Sequence, residues 1–177
     1  MSEKTTVGSI AIVGGGISGV TLGIALIQRG IKVQIFEQAK HFGEIGAGVA
    51  FNPASTRAMK VCSPDVFAAF EKVSTGNQFE DMKTTWFDWV DGFNDTEVGR
   101  EEYCFTVTNS MGQNGVHRAH FLDNLVHAVP DGVTHFDKHL DTIKESSSGE
   151  LTLCFHDGSR HTADAGTAFP HVTMNRS

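Results

Sequence analysis

Near the start of the chain, Gly14-Gly15-Gly16-Ile17-Ser18-Gly19 fits the pattern G-x-G-x-x-G. Glycine at the first position permits a tight turn. At the second it lets backbone approach a pyrophosphate, and at the third it lets a helix pack closely on a sheet. An acid, Glu37, follows at the distance that a dinucleotide fingerprint asks for, about 20 residues on. A carboxylate there accepts hydrogen bonds from a ribose 2′-hydroxyl and repels a 2′-phosphate. A helix opening at this turn presents free N–H groups and about half a positive charge to the phosphates. Glycine turns of this kind are common, so the motif takes its weight from its setting. It does not separate FAD from NAD.

The setting is a strand, the turn, a helix and a second strand. Residues 9–13 are a short β-branched run, read as a buried strand. Residues 17–29 carry Val20, Ile24 and Ile27 at helical spacing, with Gly30 as the stop. Residues 32–37 form the second strand and end on Glu37, which completes a βαβ unit. Residues 41–50 read as a long loop whose glycines bring backbone close to a ligand. Pro53 opens one helix and Pro64 another, with Ser63 as the N-cap of the second. Residues 84–90 and 103–108 read as strands, and 118–129 as an amphipathic helix with Phe121, Leu122 and Leu125 facing inward. A short strand over 133–136 precedes three short strands, 140–143, 151–155 and 160–163, joined by turn residues into a meander.

Composition narrows the class. The chain has 177 residues, 40% of them hydrophobic, and 14 Lys+Arg against 21 Asp+Glu. That is an ordinary globular balance, and the net charge of −7 argues against nucleic acid as a partner. Residues 5–28 carry no charge, yet the triple glycine breaks the run, so no membrane span is expected. The start has no basic segment of the secretory kind, and a cytoplasmic chain is expected. Cys62, Cys104 and Cys154 form no C-x-x-C pair and are expected as reduced, mostly buried thiols. His120, Asp123 and His127 share a helical face, but no H-E-x-x-H or cysteine partner accompanies them, so no metal site is assigned. Trp86 and Trp89 are read as sheet packing, with the lining of an aromatic pocket as the alternative. Glu44 reads as a solvated charge in the glycine-rich loop or as a residue with a role there, and no catalytic residue is assigned.

Three blocks together are more specific than the glycine turn. The first is residues 10–19 with Phe36-Glu37-Gln38-Ala39. The second runs from Phe42 through Ala50 to Asn52-Pro53-Ala54-Ser55-Thr56-Arg57. The third is Val116-His117-Arg118-Ala119-His120-Phe121-Leu122. In these blocks the chain resembles the N-terminal part of the FAD-dependent aromatic hydroxylases, the salicylate-hydroxylase-like monooxygenases. The resemblance implies an α/β fold: a Rossmann-like βαβ FAD-binding fold with a small antiparallel meander and part of a substrate-domain sheet. Residues 1–177 would then be an incomplete FAD-binding domain. Residues 9–50 would form the dinucleotide-binding unit and flavin-side loop, 75–110 a partial substrate sheet, and 116–165 the helix, strand and meander.

By position, the resemblance places Gly14, Gly16, Gly19 and Glu37 on the ADP end of FAD, the Ala50 backbone along the flavin, and Arg118 on the cofactor as a fixed guanidinium fork. It implies NAD(P)H as electron donor and a small phenolic or aromatic substrate that becomes hydroxylated. Residues 166–177 depart from the family's pattern and are read as an aberrant tail, in which Pro170 would lack a ladder N–H. The chain therefore reads as truncated, with activity of its own not expected. The first strand would then have an open sheet edge, and self-association through that edge is expected.

Overall fold

The computed structural model describes residues 8–42, 47–91, 93, 102–168 and 174–176. The β-branched start forms β1 (Ser9–Val13), the glycine turn leads into α1 (Ile17–Ile27), and β2 (Lys32–Phe36) follows. Two later strands, β8 (Thr134–His135) and β12 (Ala165–Ala168), complete a parallel sheet in the order β12-β1-β2-β8. Ile12 lies opposite Ile35 on one side and Thr167 on the other. Ala11 and Ile12 are fully buried, as the continuous apolar run of a parallel strand requires. The α/β expectation and its βαβ unit hold.

The open edge does not. β1 is flanked on both sides, because residues 165–168 pair in parallel with residues 10–13. The ground for expecting self-association through β1 therefore falls. Ala165-Gly166-Thr167-Ala168 lacks the apolar pattern of a strand, so residues 166–168 read as tail from the sequence. Small residues suit the place: a Cβ on Gly166 would stand 3.2 Å from Leu151 Cδ1 and 3.4 Å from the Ala11 carbonyl oxygen. Pro170 lies outside the described residues. Beyond it β13 (Met174–Arg176) runs parallel to β9 (Leu140–Glu145).

One face of the parallel sheet carries α1. The helix is covered in turn by α2 (Pro53–Cys62), α3 (Pro64–Val73) and α4 (Arg118–Val126). Val20 and Ile24 meet Val66, Phe70, Phe121 and Leu125 in the main core. Local chemistry sets the helix ends. Asn52 Oδ1 accepts from Ser55 N–H at 2.9 Å ahead of Pro53, and Ser63 Oγ accepts from Asp65 N–H at 3.1 Å ahead of Pro64. Ser63 is thus the cap that the sequence indicated. At the far end of α2 the Arg29 guanidinium donates to the carbonyls of Cys62 and Val61, at 2.9 and 3.0 Å. A cation there satisfies orphan carbonyls and complements the helix dipole. α4 ends at Val126 rather than residue 129, because the N–H groups of Ala128 and Val129 reach back only three residues and tighten the chain.

The other face of the sheet packs on the meander. Here β9, β10 (Leu151–Phe155) and β11 (Arg160–Ala163) enclose Ala11, Val13, Phe36, Ile143, Leu153 and Phe155. A separate hairpin joins β5 (Thr85–Asp91) to β6 (Glu102–Thr108), and across it Trp89 stacks on Phe105 at 5.7 Å. A small antiparallel sheet, missed in the sequence, has the order β3-β7-β4, from β3 (Gly48–Phe51), β7 (Asn114–His117) and β4 (Thr75–Gly76). Its strands are short and carry glycine, so no alternation marks them. The cysteines also differ from expectation: Cys104 is exposed, and Cys62 and Cys154 are half-buried. Cys104 sits on a two-stranded hairpin, which covers neither of its faces fully. Among the described residues no helix is long and apolar enough to cross a membrane.

Asp164 fastens the start of β1 to the link between β11 and β12. Its carboxylate accepts from Ser9 N–H at 2.7 Å, Ser9 O–H at 3.0 Å and Gly8 N–H at 3.0 Å. The Ser9 hydroxyl, then its amide, hold this carboxyl below the ordinary aspartate value. A depressed carboxyl contributes stability above its unfolded-state pKa and loses it as pH falls through the folded value. Asp164→Asn is therefore expected to be less stable than wild type at pH 7. The gap should close progressively as pH drops below about 4. Urea unfolding across pH checks this, and a gap independent of pH would contradict it.

Candidate functional site

The turn after β1 depends on its glycines. Gly14 has φ 108°, a backbone region that side chains rarely enter, and its N–H donates to the Phe36 carbonyl at 2.8 Å. Gly16 is the extended N-cap of α1 and offers no side chain, and no acidic residue stands in the first turn. The helix start therefore keeps its positive end for something else. Gly19 lies against the turn itself: a Cβ there would stand 1.9 Å from the Gly14 carbonyl oxygen.

Glu37 follows β2 and turns back to the glycines. Gly15 N–H donates to its Oε2 at 2.6 Å and Ala39 N–H to its Oε1 at 2.8 Å. Two main-chain donors thus fix the half-buried carboxylate, and each oxygen keeps a lone pair for a hydroxyl. Gly15 is a position of the candidate site that the motif passes over. Its own Cβ would meet Glu37 Cβ at 3.0 Å, and Glu37 Oε2 and Phe42 Cε1 at 3.1 Å. Its place as the middle one of three consecutive glycines was the only signal for it.

A cleft of about 400 Å³ opens over this turn, lined by Gly14, Gly16, Ile17, Ser18, Gly19, Val49, Phe51 and Arg118. Its size suits a small-molecule site, for which roughly 300–1,000 Å³ is usual. A hollow of about 60 Å³, lined by Gly15, Gly16, Glu37, Ala39, His41, Phe42 and Leu122, adjoins it and shares Gly16. Arg118 reaches the cleft because β7 pairs with β3 and delivers the first residue of α4 there, its N–H donating to the Ala47 carbonyl at 2.9 Å. The His117 and His120 rings lie together beside it, centroids 4.4 Å apart.

The structure therefore brings Gly14, Gly16, Gly19 and Arg118 to one cleft and Glu37 to its neighbour. Ala50 lines neither. It is exposed on β3 opposite Gly115, and strand alternation turns Val49 and Phe51 to the cleft instead. Glu44 lies outside the described residues. In chemical terms, a bare turn, a helix N-terminus and a guanidinium favour an anion, and a preset carboxylate beside them favours a diol.

The chain is similar along most of its length to known proteins. Residues 12–56 match the NAD(P)-binding Rossmann-like domain. The chain is 43% identical over 164 residues to the FAD-dependent monooxygenase azaH of Aspergillus niger, which covers 88% of this chain and 37% of that protein. It is 39% identical over 158 residues to the salicylate hydroxylase of Pseudomonas putida, covering 88% of this chain and 34% of that one. A solved salicylate hydroxylase in a substrate complex superimposes with a TM-score of 0.72 at 26% identity, over 94% of this chain and 36% of the other. The chain thus spans about a third of the length of the curated relatives it matches.

Proposed function

Since the chain is similar along most of its length to the N-terminal region of salicylate-hydroxylase-like FAD-dependent monooxygenases, we propose that it binds FAD by the ADP end. On the same proposal it serves an NAD(P)H-driven hydroxylation of a small phenolic or aromatic molecule in the cytoplasm. The observation that carries this reading is the convergence of the glycine turn, the preset Glu37 carboxylate and Arg118 on two adjoining hollows. The residues present fit the group. Gly14 and Gly16 leave room for a diphosphate against the start of α1, and Arg118 supplies a second positive partner from α4. Glu37 accepts from the ribose hydroxyls while Gly15 and Ala39 hold it still. Val49 and Phe51 give the cleft an apolar wall that excludes water from the bound group. FAD, when bound, would supply the redox chemistry, with reducing equivalents from NAD(P)H and O2 as the source of one oxygen atom for the aromatic ring and one for water. The β5–β6 hairpin, within residues 75–110, is taken as part of the substrate sheet.

Titration with FAD, followed by flavin fluorescence, tests the proposal. Wild type is expected to bind, and Glu37→Ala to bind about 10- to 100-fold more weakly, since a hydrogen bond to a charged group is worth about 1.5–3 kcal/mol. Protein that takes up no FAD would overturn the reading. The match of residues 12–56 to an NAD(P)-binding domain favours a second reading, a plain nicotinamide-dinucleotide module. Displacement of FAD by equimolar NAD would favour that alternative.

A further inference from the structure

We propose that Asp137, which lines neither hollow, is a positioning residue for the Glu37 carboxylate, through a left-handed bend that clamps Ala39. The inference rests on the reading of Glu37 as the ribose acceptor. Among the described residues Asp137 is the one non-glycine residue with positive φ, at 55°. Aspartate tolerates that conformation better than most side chains, and a β-branched residue tolerates it least.

The bend has a specific product. β8 pairs with β2 through Thr134 and His135, and the ladder continues past both strands as Glu37 N–H donates to the His135 carbonyl at 2.8 Å. The chain then turns at Asp137. Two successive amides now point back at the segment that carries the acid. Lys138 N–H donates to the Glu37 carbonyl at 2.9 Å, and Asp137 N–H to the Ala39 carbonyl at 3.0 Å. Ala39 is thereby held through both of its main-chain groups, its carbonyl by Asp137 and its N–H by Glu37 Oε1. The same carboxylate receives Gly15 N–H on Oε2. Asp137 thus fixes Ala39, Ala39 fixes one oxygen of Glu37, and the glycine turn fixes the other. Strain held at such a bend persists only where surroundings over-determine it, and it gathers at ligand clamps.

Calorimetric titration of the full chain with ADP, together with amide hydrogen exchange, tests this. Asp137→Gly and Asp137→Asn keep the bend and are expected to bind within about twofold of wild type. Asp137→Val is expected to bind ADP about tenfold more weakly and to expose the Gly15 and Ala39 amides to exchange. In a Glu37→Ala background the same Val substitution should change affinity less than about twofold, because the group it positions is gone. Asp137→Ala replaces the Val variant if the latter does not fold. Wild-type affinity in a folded Val or Ala variant would overturn the inference. So would an equal loss with and without Glu37, which marks a merely structural role. Should wild type not bind ADP, the ribose reading fails, and protection of Gly15 and Ala39 alone decides whether Asp137 holds the carboxylate.

Discussion

Gly19→Ala is expected to destabilise the protein by about 3 kcal/mol, in the upper range for overpacking, and to abolish dinucleotide binding. The added Cβ would lie 1.9 Å from a backbone oxygen, that of Gly14, with Ile12 Cγ2 at 3.3 Å behind it. No rotamer can relieve a contact between two main-chain-fixed atoms, so either α1 lifts from the sheet or the turn changes shape. Both outcomes displace Gly14 and Gly16 from the cleft they line. For a chain of this length the loss should lower the melting temperature by roughly 6–12 °C. Gly23→Ala is the informative control. Its Cβ would stand 2.8 Å from Ile35 Cδ1, the tip of a side chain that can rotate away. It should cost less and leave binding intact. Equal melting temperatures for wild type and Gly19→Ala would refute the close-packing argument.

Phe121→Ala carries the other large effect. Phe121 is fully buried on α4 and meets Phe51 at 5.8 Å and Phe70 at 5.9 Å, both edge-on. Truncating a buried phenylalanine costs about 3–5 kcal/mol, from lost transfer energy and from the cavity left behind. At this position the cavity opens under Phe51, a wall of the cleft, and one turn along the helix from Arg118. Urea unfolding should show the full loss, and ligand affinity should fall even where the protein is folded. Phe121→Leu, which retains most of the volume, should be milder in both respects. An unchanged unfolding midpoint in the alanine variant would show that the aromatic cluster is not the core of this layer.

The parts of the fold legible in the sequence are those whose signals are local. The β-branched strand, the glycine turn, the spacing of Val20 and Ile24 and the Ser63 cap each lie within one element, and each stands where expected. Glu37 was legible because the fingerprint fixes its separation from the turn. What escaped was set by distant partners. β3 and β7 are strands only because they pair with each other, and β12 because β1 and Leu151 leave a slot for small residues. Ala50 is exposed on β3, so its side chain lines neither hollow and only its backbone is left for the role expected of it. Asp137 gave no sign, because its role is written in hydrogen bonds to residues far earlier in the chain.

The partnership of β1 with β12 has a bearing on how the molecule is made. Ser9 and Asp164, which lock that seam, are separated by 155 positions. During translation the initial βαβ segment leaves the ribosome long before its flanking strand exists. A greasy ribbon therefore waits with one side bare while the residues between the two partners are still being assembled. Long-range parallel pairing is slow to close, and unpaired edges are where nascent chains go astray. Yield in the cell should thus depend on chaperone supply more than on the ruggedness of the finished particle.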